Sequence, residues 1–519
     1  MQRNPGSVAI LLPATKTLFI LFNNNKNILI IQHIIFANVR KQKQPVVLEN
    51  ILVQDYAAEG KSLAKVDGKV IFIENTVPGD VVDIQIIKNK KDWADAYPLR
   101  FKEYSTVRVQ PFCTHFGTCG GCQWQMLPYN QQLIYKQKQV ADNLSRIGKV
   151  VLPEILPIIG ADQTEYYRNK MEYTFSRKRY IPTDEFRSLK QQGITPNPEG
   201  GFGGFHAKGV FDKVVAIDTC HLQQEPTNLL RKAIVEFGIV NGLTFHDAKL
   251  HEGFLRNIMV RIATTGEWMV NIVLGDESEK KRKPLLDHIL KTFPQITSLL
   301  YTINTKWNDS IYDLNPIAYY GKGYIVEKLE DYQFKISPKS FFQTNTKQAE
   351  KLYSVTREFA ELNGTQTVYD LYCGTGSIGI FVSKEAKKIV GVEMIEDAIG
   401  DAKENAAFNN ILHSVFIAGD VIDICNDDFF ALHGKPDVVI TDPPRAGMHE
   451  KLVKKLLEIE APMIVYVSCN PATQARDIAL LDAKYEVTKI QPVDMFPHTL
   501  HIENVMQLKL RKPPTPEGE

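Results

Sequence analysis

Residues 367–382 read TVYDLYCGTGSIGIFV, a β-type run, then a glycine loop, then an apolar stretch suited to a helix. The same grammar recurs on its C-terminal side. KKIVGVE (387–393), PDVVITDPPR (436–445) and MIVYVSC (463–469) are further short apolar strands, each separated from the next by enough chain for a helix. Alternating β and α units predict an α/β region from about Ser337 onward. The expected architecture is a doubly wound, mostly parallel sheet whose ligands sit at the C-terminal ends of its strands.

That placement singles out the loops. Gly374, Gly376 and Gly379 fit G-x-G-x-x-G directly after a strand, where glycine lets a ligand approach the backbone closely. Alone, the pattern also fits a dinucleotide-binding enzyme. Glu393 ends the next strand, seventeen positions beyond Gly376, where a carboxylate can accept both hydroxyls of a ribose. An adenosyl-ribose ligand follows, of open identity. The next strand ends in Asp442, Pro443, Pro444 and Arg445. Asp-Pro-Pro at this rim is common where S-adenosylmethionine donates a methyl group and unusual in dehydrogenases. Methyl transfer therefore explains the set better than hydride transfer or a merely rigid turn.

A chain of 519 residues is too long for one core and predicts about three domains. Its 44% hydrophobic and 23% charged residues fit a soluble globular protein. The 61 basic and 60 acidic side chains nearly cancel, so a polyanion would be held by local patches. Apolar runs stop short of about 20 residues, which argues against a spanning helix. Seven cysteines are too few for a disulfide scaffold. A reducing cytoplasm is the default.

Residues 1–45 stand apart as an extension. The first 48 residues contain no Asp or Glu and carry Arg3, Lys16, Lys26, Arg40, Lys41 and Lys43. They lack the layout of a targeting peptide and read as a disordered or mis-assigned start. Over 46–108, short alternating runs broken at Asp67-Gly68 and Pro78-Gly79 predict a small β-barrel. Its run Lys88 to Lys91, beside Trp93 and Tyr97, suits nucleic acid and equally a solvated face.

Residues 109–335 read as mixed α+β, 336–512 as the α/β region and 513–519 as a tail. The middle part includes an amphipathic helix over about Tyr129 to Ile147, two strands within Leu255 to Gly275 joined at Thr264-Thr265-Gly266, and a loop insertion from Ile181 to Gly204. Between Tyr166 and Tyr180, aromatics interleave with Arg168, Lys170, Arg177, Lys178 and Arg179. The pattern fits base stacking and phosphate pairing, or a half-exposed strand.

Cys113, Cys119 and Cys122 form C-x5-C-x2-C in CTHFGTCGGC, and Cys220 in VAIDTCHL can supply a fourth thiolate. Four thiolates hold zinc or an iron–sulfur cluster, and spacing does not choose between them. Cys373 and Cys425 read as structural. Cys469 stands alone at a strand end near the methyl-donor site, where a thiolate nucleophile is favoured over a small buried hydrophobe.

CTHFGTCGGC, SFFQTN, DLYCGTGSIG, DPPRAG, YVSCNPAT and MFPHTLHIE, in this order, resemble the RNA uracil-5-methyltransferases, in particular their iron–sulfur branch. The match runs from about Val46 to Leu510. The resemblance implies a C-terminal Rossmann-like class I methyltransferase domain, an N-terminal TRAM barrel related to OB folds, and a central α+β domain carrying a 4Fe–4S cluster on Cys113, Cys119, Cys122 and Cys220. It places Gln343, Tyr372, Glu393 and Asp442 around S-adenosylmethionine, with Asp420 a weaker addition; Gly374 and Gly376 complete the expected cofactor contacts. Cys469 matches the family's nucleophile and Glu503 its general base.

The chemistry requires both. C5 of uracil is a poor nucleophile until a thiolate adds to C6 and makes an enolate. A base must then take the C5 proton before the thiolate can leave. A uracil in a duplex hides C6, so unpaired or flipped RNA is the expected partner. 23S ribosomal RNA comes first and the transfer RNA T-loop second, with no membrane involved and the chain acting as a monomer. A methyltransferase for exocyclic amines, needing no thiol, and a non-catalytic RNA-binding iron–sulfur protein are the rival classes.

Overall fold

The computed structural model describes residues 20–22, 28–30, 46–57 and 60–512. Of the acid-free start, β1 (Ile20–Phe22) and β2 (Ile28–Ile30) pair antiparallel. The rest of that extension, its reading as disordered or mis-assigned, and the tail lie outside the described residues.

Six strands follow: β3 (Val47–Leu52), β4 (Asp55–Tyr56), β5 (Ser62–Val66), β6 (Lys69–Ile73), β7 (Val81–Asn89) and β8 (Trp93–Glu103), in the order β3-β7-β8-β6-β5-β4. Side chains alternate across a strand, and here alternation sends Ala64, Ile71, Ile73, Val82, Ile84, Ala94 and Ala96 into one core. Asp67 and Gly68 both have positive φ, +49° and +78°, and close the β5–β6 hairpin. Lys88 to Lys91 are exposed, with Lys88 4.8 Å above the Trp93 ring.

The middle of the chain builds a seven-stranded sheet. After α1 (Tyr129–Asn143) come β9 (Lys170–Lys178), α2 (Thr183–Gln191), β10 (Glu199–His206), β11 (Val214–Ala216), α3 (Thr227–Val240), β12 (Leu255–Ile262), β13 (Trp268–Leu274), α4 (Glu279–Thr292), β14 (Ser298–Ile303) and β15 (Ile317–Gly321). The order is β11-β10-β9-β12-β13-β14-β15. β12 and β13 form a hairpin that turns at Gly266, φ +84°, as the spacing predicts. β13 and β14 run parallel because α4 carries the chain back across the sheet.

Two expectations are corrected here. Ile181 to Gly204 is no loop: it holds α2 and most of β10. Its glycines mark close approach rather than slack. A Cβ at Gly203 would lie 2.9 Å from Val235 Cγ2, and one at Gly204 1.9 Å from the Val215 carbonyl oxygen. Nor do the β9 aromatics of the Tyr166–Tyr180 stretch offer a stacking surface, while Tyr166, ahead of the strand, is 40% exposed. Tyr173 and Phe175 are buried in the sheet core, while Arg177 and Lys178 pair with Asp247 and Arg179 with Glu185. The half-exposed strand wins, because alternation along β9 turns its rings inward.

The C-terminal part opens with the hairpin β16 (Ile325–Leu329) and β17 (Tyr332–Ile336) and then alternates. α5 (Thr346–Ala360), β18 (Thr367–Leu371), α6 (Ser377–Val382), β19 (Lys388–Glu393), α7 (Glu396–Phe408) and β20 (Ser414–Ala418) form one half. α8 (Val421–Ile424), α9 (Asp427–His433), β21 (Val438–Thr441), α10 (Glu450–Ile459), β22 (Met463–Ser468), α11 (Pro471–Leu481), β23 (Tyr485–Val493) and β24 (Glu503–Leu510) form the other. The order is β20-β19-β18-β21-β22-β24-β23. The first five strands are parallel, and β24 runs antiparallel between β22 and β23.

Earlier chain completes this layer. Val140 of α1 and Leu144 after it pack with Tyr369, Tyr466 and Ile478. Ile155 and Ile159 bridge to Ile490 and Val493 of β23. No helix among the described residues is long and apolar enough to cross a membrane.

Candidate active site

A cavity of about 1680 Å³ opens over the loops that follow β18, β19, β20, β21 and β22, the edge where doubly wound sheets take their ligands. Its cofactor-side wall starts from the glycine loop. Tyr372, Gly374 and Gly376 have φ of +61°, +53° and +75°, which wraps the backbone tightly enough to face the cavity. A Cβ at Gly376 would lie 2.9 Å from the Phe416 ring and 3.1 Å from Ala402. Gly379 donates its N–H to Asp370 Oδ2 at 2.8 Å. Burial pushes Asp370 up to about 7, with Asp442 and Glu393 adding to it.

Glu393 is held by two backbone donors, Gly374 N at 3.2 Å and Ile395 N at 3.0 Å. Asp420 caps α8 by accepting from Ile422 N at 2.9 Å. Gln343 sits in a loop pinned from two sides: its carbonyl accepts from Asn169 Nδ2 at 2.9 Å, and Asn345 Nδ2 donates to the Met495 carbonyl at 2.9 Å. Gln343, Tyr372, Gly374, Glu393, Asp420 and Asp442 all line the cavity. Gly376 does not; it is buried behind the loop, where only hydrogen fits.

The reactive groups line the same cavity. β22 and β24 pair with Ser468 opposite Asn504, so one further step along the two strands brings Cys469 beside Glu503. The amides of Gln474 and Asn504 lock this junction. Gln474 Nε2 donates to the carbonyls of Tyr466 (2.9 Å) and Asn504 (3.2 Å), and Asn504 Nδ2 donates back to Gln474 Oε1 at 2.7 Å. The residues after Cys469 hold the Asp442–Arg445 turn. Asn470 Nδ2 and Thr473 Oγ1 donate to the Arg445 carbonyl at 3.0 and 3.2 Å, while Asn470 Oδ1 caps α11. That is the local reason for Asn-Pro-Ala-Thr.

Burial holds Glu503 well above the usual carboxylate range; Asp442 pushes the same way and Arg445 opposes. Asp442 is pushed up to about 7 by burial. Two such carboxyls cannot both ionise readily, so the pair keeps a proton near neutral pH. Cys469 is pushed up to about 11, by burial first and then by Glu503 and Asp442, against Arg445. Arg445 bonds through Nη2 to His501 Nδ1, and burial lowers His501 to about 4, which keeps its ring a neutral acceptor. A thiol, a proton-holding carboxyl pair and a guanidinium thus share one wall with the glycine loop.

Phe341, Phe496 and His501 also line the cavity and were assigned no role from sequence; Arg168, read there as one of the basic residues of the aromatic-basic segment, lines it too. Phe341, Phe496 and His501 sat unmarked inside SFFQTN and MFPHTLHIE. Arg168 lies 5.8 Å from the Phe496 ring. Tyr353 of α5, bonded to Ser377 Oγ at 2.9 Å, had no signal at all. The loop carrying Phe496 is fixed from outside the sheet: buried Lys136 meets buried Asp494 at 2.6 Å, and Gln123 N and Trp124 N donate to the His498 carbonyl at 2.8 and 3.1 Å.

Gln123 directly follows the cysteine loop. Cys119 and Cys122 pack against the same core that contains Cys220, and the charges of Cys220, Cys119 and Cys113 are all felt at Cys122. Burial first, then these neighbours, pushes Cys122 up to about 12. Gly121 N points at Cys119 Sγ, 3.4 Å away, and Asn228 brackets Cys220 with bonds to its N–H (2.8 Å) and carbonyl (3.1 Å). Cys113, Cys119, Cys122 and Cys220 are thus near enough to feel one another's charge, but among the described residues no group of three or more His, Cys, Asp or Glu could hold a metal ion.

Comparison with known proteins agrees with this architecture. A TRAM domain model matches residues 47–98, and a tRNA (uracil-5-)-methyltransferase model matches residues 319–511. An RNA methyltransferase of Bacteroides thetaiotaomicron, described as uncharacterized, is 51% identical over 458 residues, covering 88% of this chain and 100% of that protein. A similarly described protein of Porphyromonas gingivalis is 47% identical over 88% of this chain and 98% of its own length. Among solved structures, Pyrococcus abyssi tRNA (uracil-54, C5)-methyltransferase, in complex with S-adenosyl-L-homocysteine, superposes with a TM-score of 0.68 at 28% identity, covering 89% of this chain and 100% of that one. The C-terminal sheet thus has the class I methyltransferase fold, and the chain belongs to the S-adenosylmethionine-dependent RNA (uracil-5-)-methyltransferases, with a TRAM domain on its N-terminal side.

Proposed function

We propose that this enzyme methylates C5 of a uridine in 23S ribosomal RNA through a covalent bond between Cys469 and uracil C6. The observation that carries the reading is the β22–β24 register, which sets Cys469 beside Glu503 on the cavity wall shared with Gly374 and Glu393. When bound, S-adenosylmethionine supplies an electrophilic methyl group. Glu393 would accept the ribose hydroxyls, and Gln343, Tyr372, Gly374, Asp420 and Asp442, which line the same cavity, would hold the rest of the donor.

Cys469 loses its proton to the ionised member of the carboxyl pair, which passes it to solvent, and adds to C6, leaving an enolate whose C5 takes the methyl group as S-adenosylhomocysteine departs. Glu503 then removes the C5 proton, C6–Sγ breaks, and the C5–C6 double bond returns. Arg445, held by His501, offers positive charge to the enolate oxygen. Cys113, Cys119, Cys122 and Cys220 would hold a 4Fe–4S cluster as a staple between the central sheet and the 494–502 loop. Domain limits of 46–108, 109–335 and 336–512 separate the six-stranded sheet and the two seven-stranded sheets, with the β16–β17 hairpin straddling the last limit, and a cytoplasmic monomer is the working form.

The four-cysteine group, shared with the iron–sulfur branch that the motifs resemble, supports ribosomal RNA. Transfer RNA is the second reading, favoured by the neighbour that acts on uracil-54 of tRNA. Incubation with cofactor and 5-fluorouridine-substituted 23S or transfer RNA tests both. The expected result is a denaturation-stable adduct with ribosomal RNA, lost in Cys469→Ala. An adduct with transfer RNA alone would move the substrate, and none with either RNA would end the covalent reading.

A further inference from the structure

The catalytic cavity continues onto an aromatic loop that the mechanism leaves idle. Between β14 and β15 the chain passes through Trp307, which is 81% exposed, and Tyr312, which is 65% exposed and lines the cavity. Five residues separate them, so Trp307 stands within about 18 Å of Tyr312 along the chain. An indole this exposed contributes little to any core, and its Nε1–H has no partner among the described residues.

The loop beneath it is nonetheless heavily braced. Arg256, itself 2% exposed, donates Nη1 to the carbonyls of Asn304 (2.6 Å) and Lys306 (2.8 Å), and Nη2 to the Asn308 carbonyl (3.2 Å) and Asp309 Oδ1 (2.8 Å). Burying a guanidinium is costly unless its hydrogen bonds are met, and here Nη1 and Nη2 are met on both sides of Trp307 while Nε has no partner. His251 stacks on the indole, with centroids 4.3 Å apart and planes at 27°. The fold therefore holds one flat ring toward solvent on a braced loop, whose Tyr312 lines the cavity. Preorganisation of this kind lowers the ordering cost of binding.

We propose that Trp307 and Tyr312 form a stacking platform for an unpaired nucleotide flanking the target uridine. The proposal rests on RNA being the substrate, and continuity with the cavity favours RNA over a protein partner. Stacking of a base on an aromatic ring is sequence-tolerant and strong enough to read by substitution.

The test compares wild type with Trp307→Ala, Trp307→Phe and Tyr312→Ala. Anisotropy of a labelled single-stranded oligouridylate gives Kd, and methyl transfer to 23S ribosomal RNA from cells lacking the gene gives KM and kcat. Trp307→Ala is expected to weaken Kd and raise KM by about ten-fold, with a smaller change in kcat and unchanged S-adenosylhomocysteine affinity. Trp307→Phe should keep most of the binding, because a ring remains. Wild-type affinity in Trp307→Ala overturns the platform and leaves a protein partner for that face. Equal damage from Phe and Ala overturns it too. Should Trp307→Ala lower the melting midpoint, Tyr312→Ala decides in its place, a wild-type Kd counting against the proposal. The 5-fluorouridine adduct, run at saturating RNA, does not need Trp307, so its failure would strike the covalent reading and leave the binding result standing.

Discussion

Cys469 and Cys122 are both half-buried thiols that burial pushes far up, to about 11 and about 12, yet their neighbours differ in kind. Around Cys122 the next influences are a hydrogen bond with Gln125, which opposes burial, and then three other thiols, which add to it. Around Cys469 they are two carboxyls and an arginine. Thiolates that face thiolates repel one another unless a shared cation or cluster takes up their charge. A thiol that faces carboxyls has somewhere to send its proton and an open cavity ahead of it. One residue type thus serves two chemistries through what stands beside it.

The difference can be pressed by substitution. The largest expected effect is Glu503→Gln, which leaves the thiol and cavity in place but removes the acceptor for the C5 proton. Turnover should fall by about 10²–10⁴-fold, while a methylated RNA adduct accumulates on the protein and is seen as a slow-migrating band under denaturing conditions. Absence of that band with turnover lost would move the base elsewhere. Cys122→Ser should act on the other side of the comparison. Iron content and visible absorption should fall, and the melting midpoint with them, because the thiol belongs to a packed core. Methylation should decline less than in Glu503→Gln, and Cys469→Ala should leave iron content unchanged.

The smallest effect concerns the carboxyl pair. Asp442 is raised from an ordinary 3.8 to about 7, so between those values the folded protein holds a proton that the unfolded chain has released. The stability from that proton is complete below the lower value and is lost as pH rises through the upper one. Asp442→Asn removes this loss. Its melting midpoint should exceed that of wild type at pH 8 by the equivalent of about 1–3 kcal/mol and match it at pH 4. A constant gain at both pH values would mean the carboxyl is not held protonated.

What sequence could and could not deliver follows the range of the forces involved. CGTGSIG was legible because Gly374 and Gly376 answer a local demand, positive φ in a loop directly after a strand, that any reader of the chain can recognise. EGGFGGF was misread because its glycines answer to Val215 and Val235, neighbours that only the folded sheet supplies. Cys469 drew attention by position, but its alliance with Glu503 depends on strand register between distant segments. The resemblance to known enzymes, rather than any pattern in the chain, put those two together. For Tyr173 and Phe175, composition suggested stacking on bases, and only the facing of β9 shows that they stack in the core.

β23 ends the C-terminal sheet, and an open sheet edge invites pairing with other chains. Here the edge is occupied: Leu156 N donates to the Ile490 carbonyl at 3.0 Å, Ile159 N to the Pro492 carbonyl at 3.0 Å, and Asp494 N to the Ile159 carbonyl at 2.9 Å. The guard is encoded more than three hundred residues before the strand it covers. On the ribosome it is therefore made first and waits for its partner, so the last sheet to be synthesised can close against its own chain as it emerges.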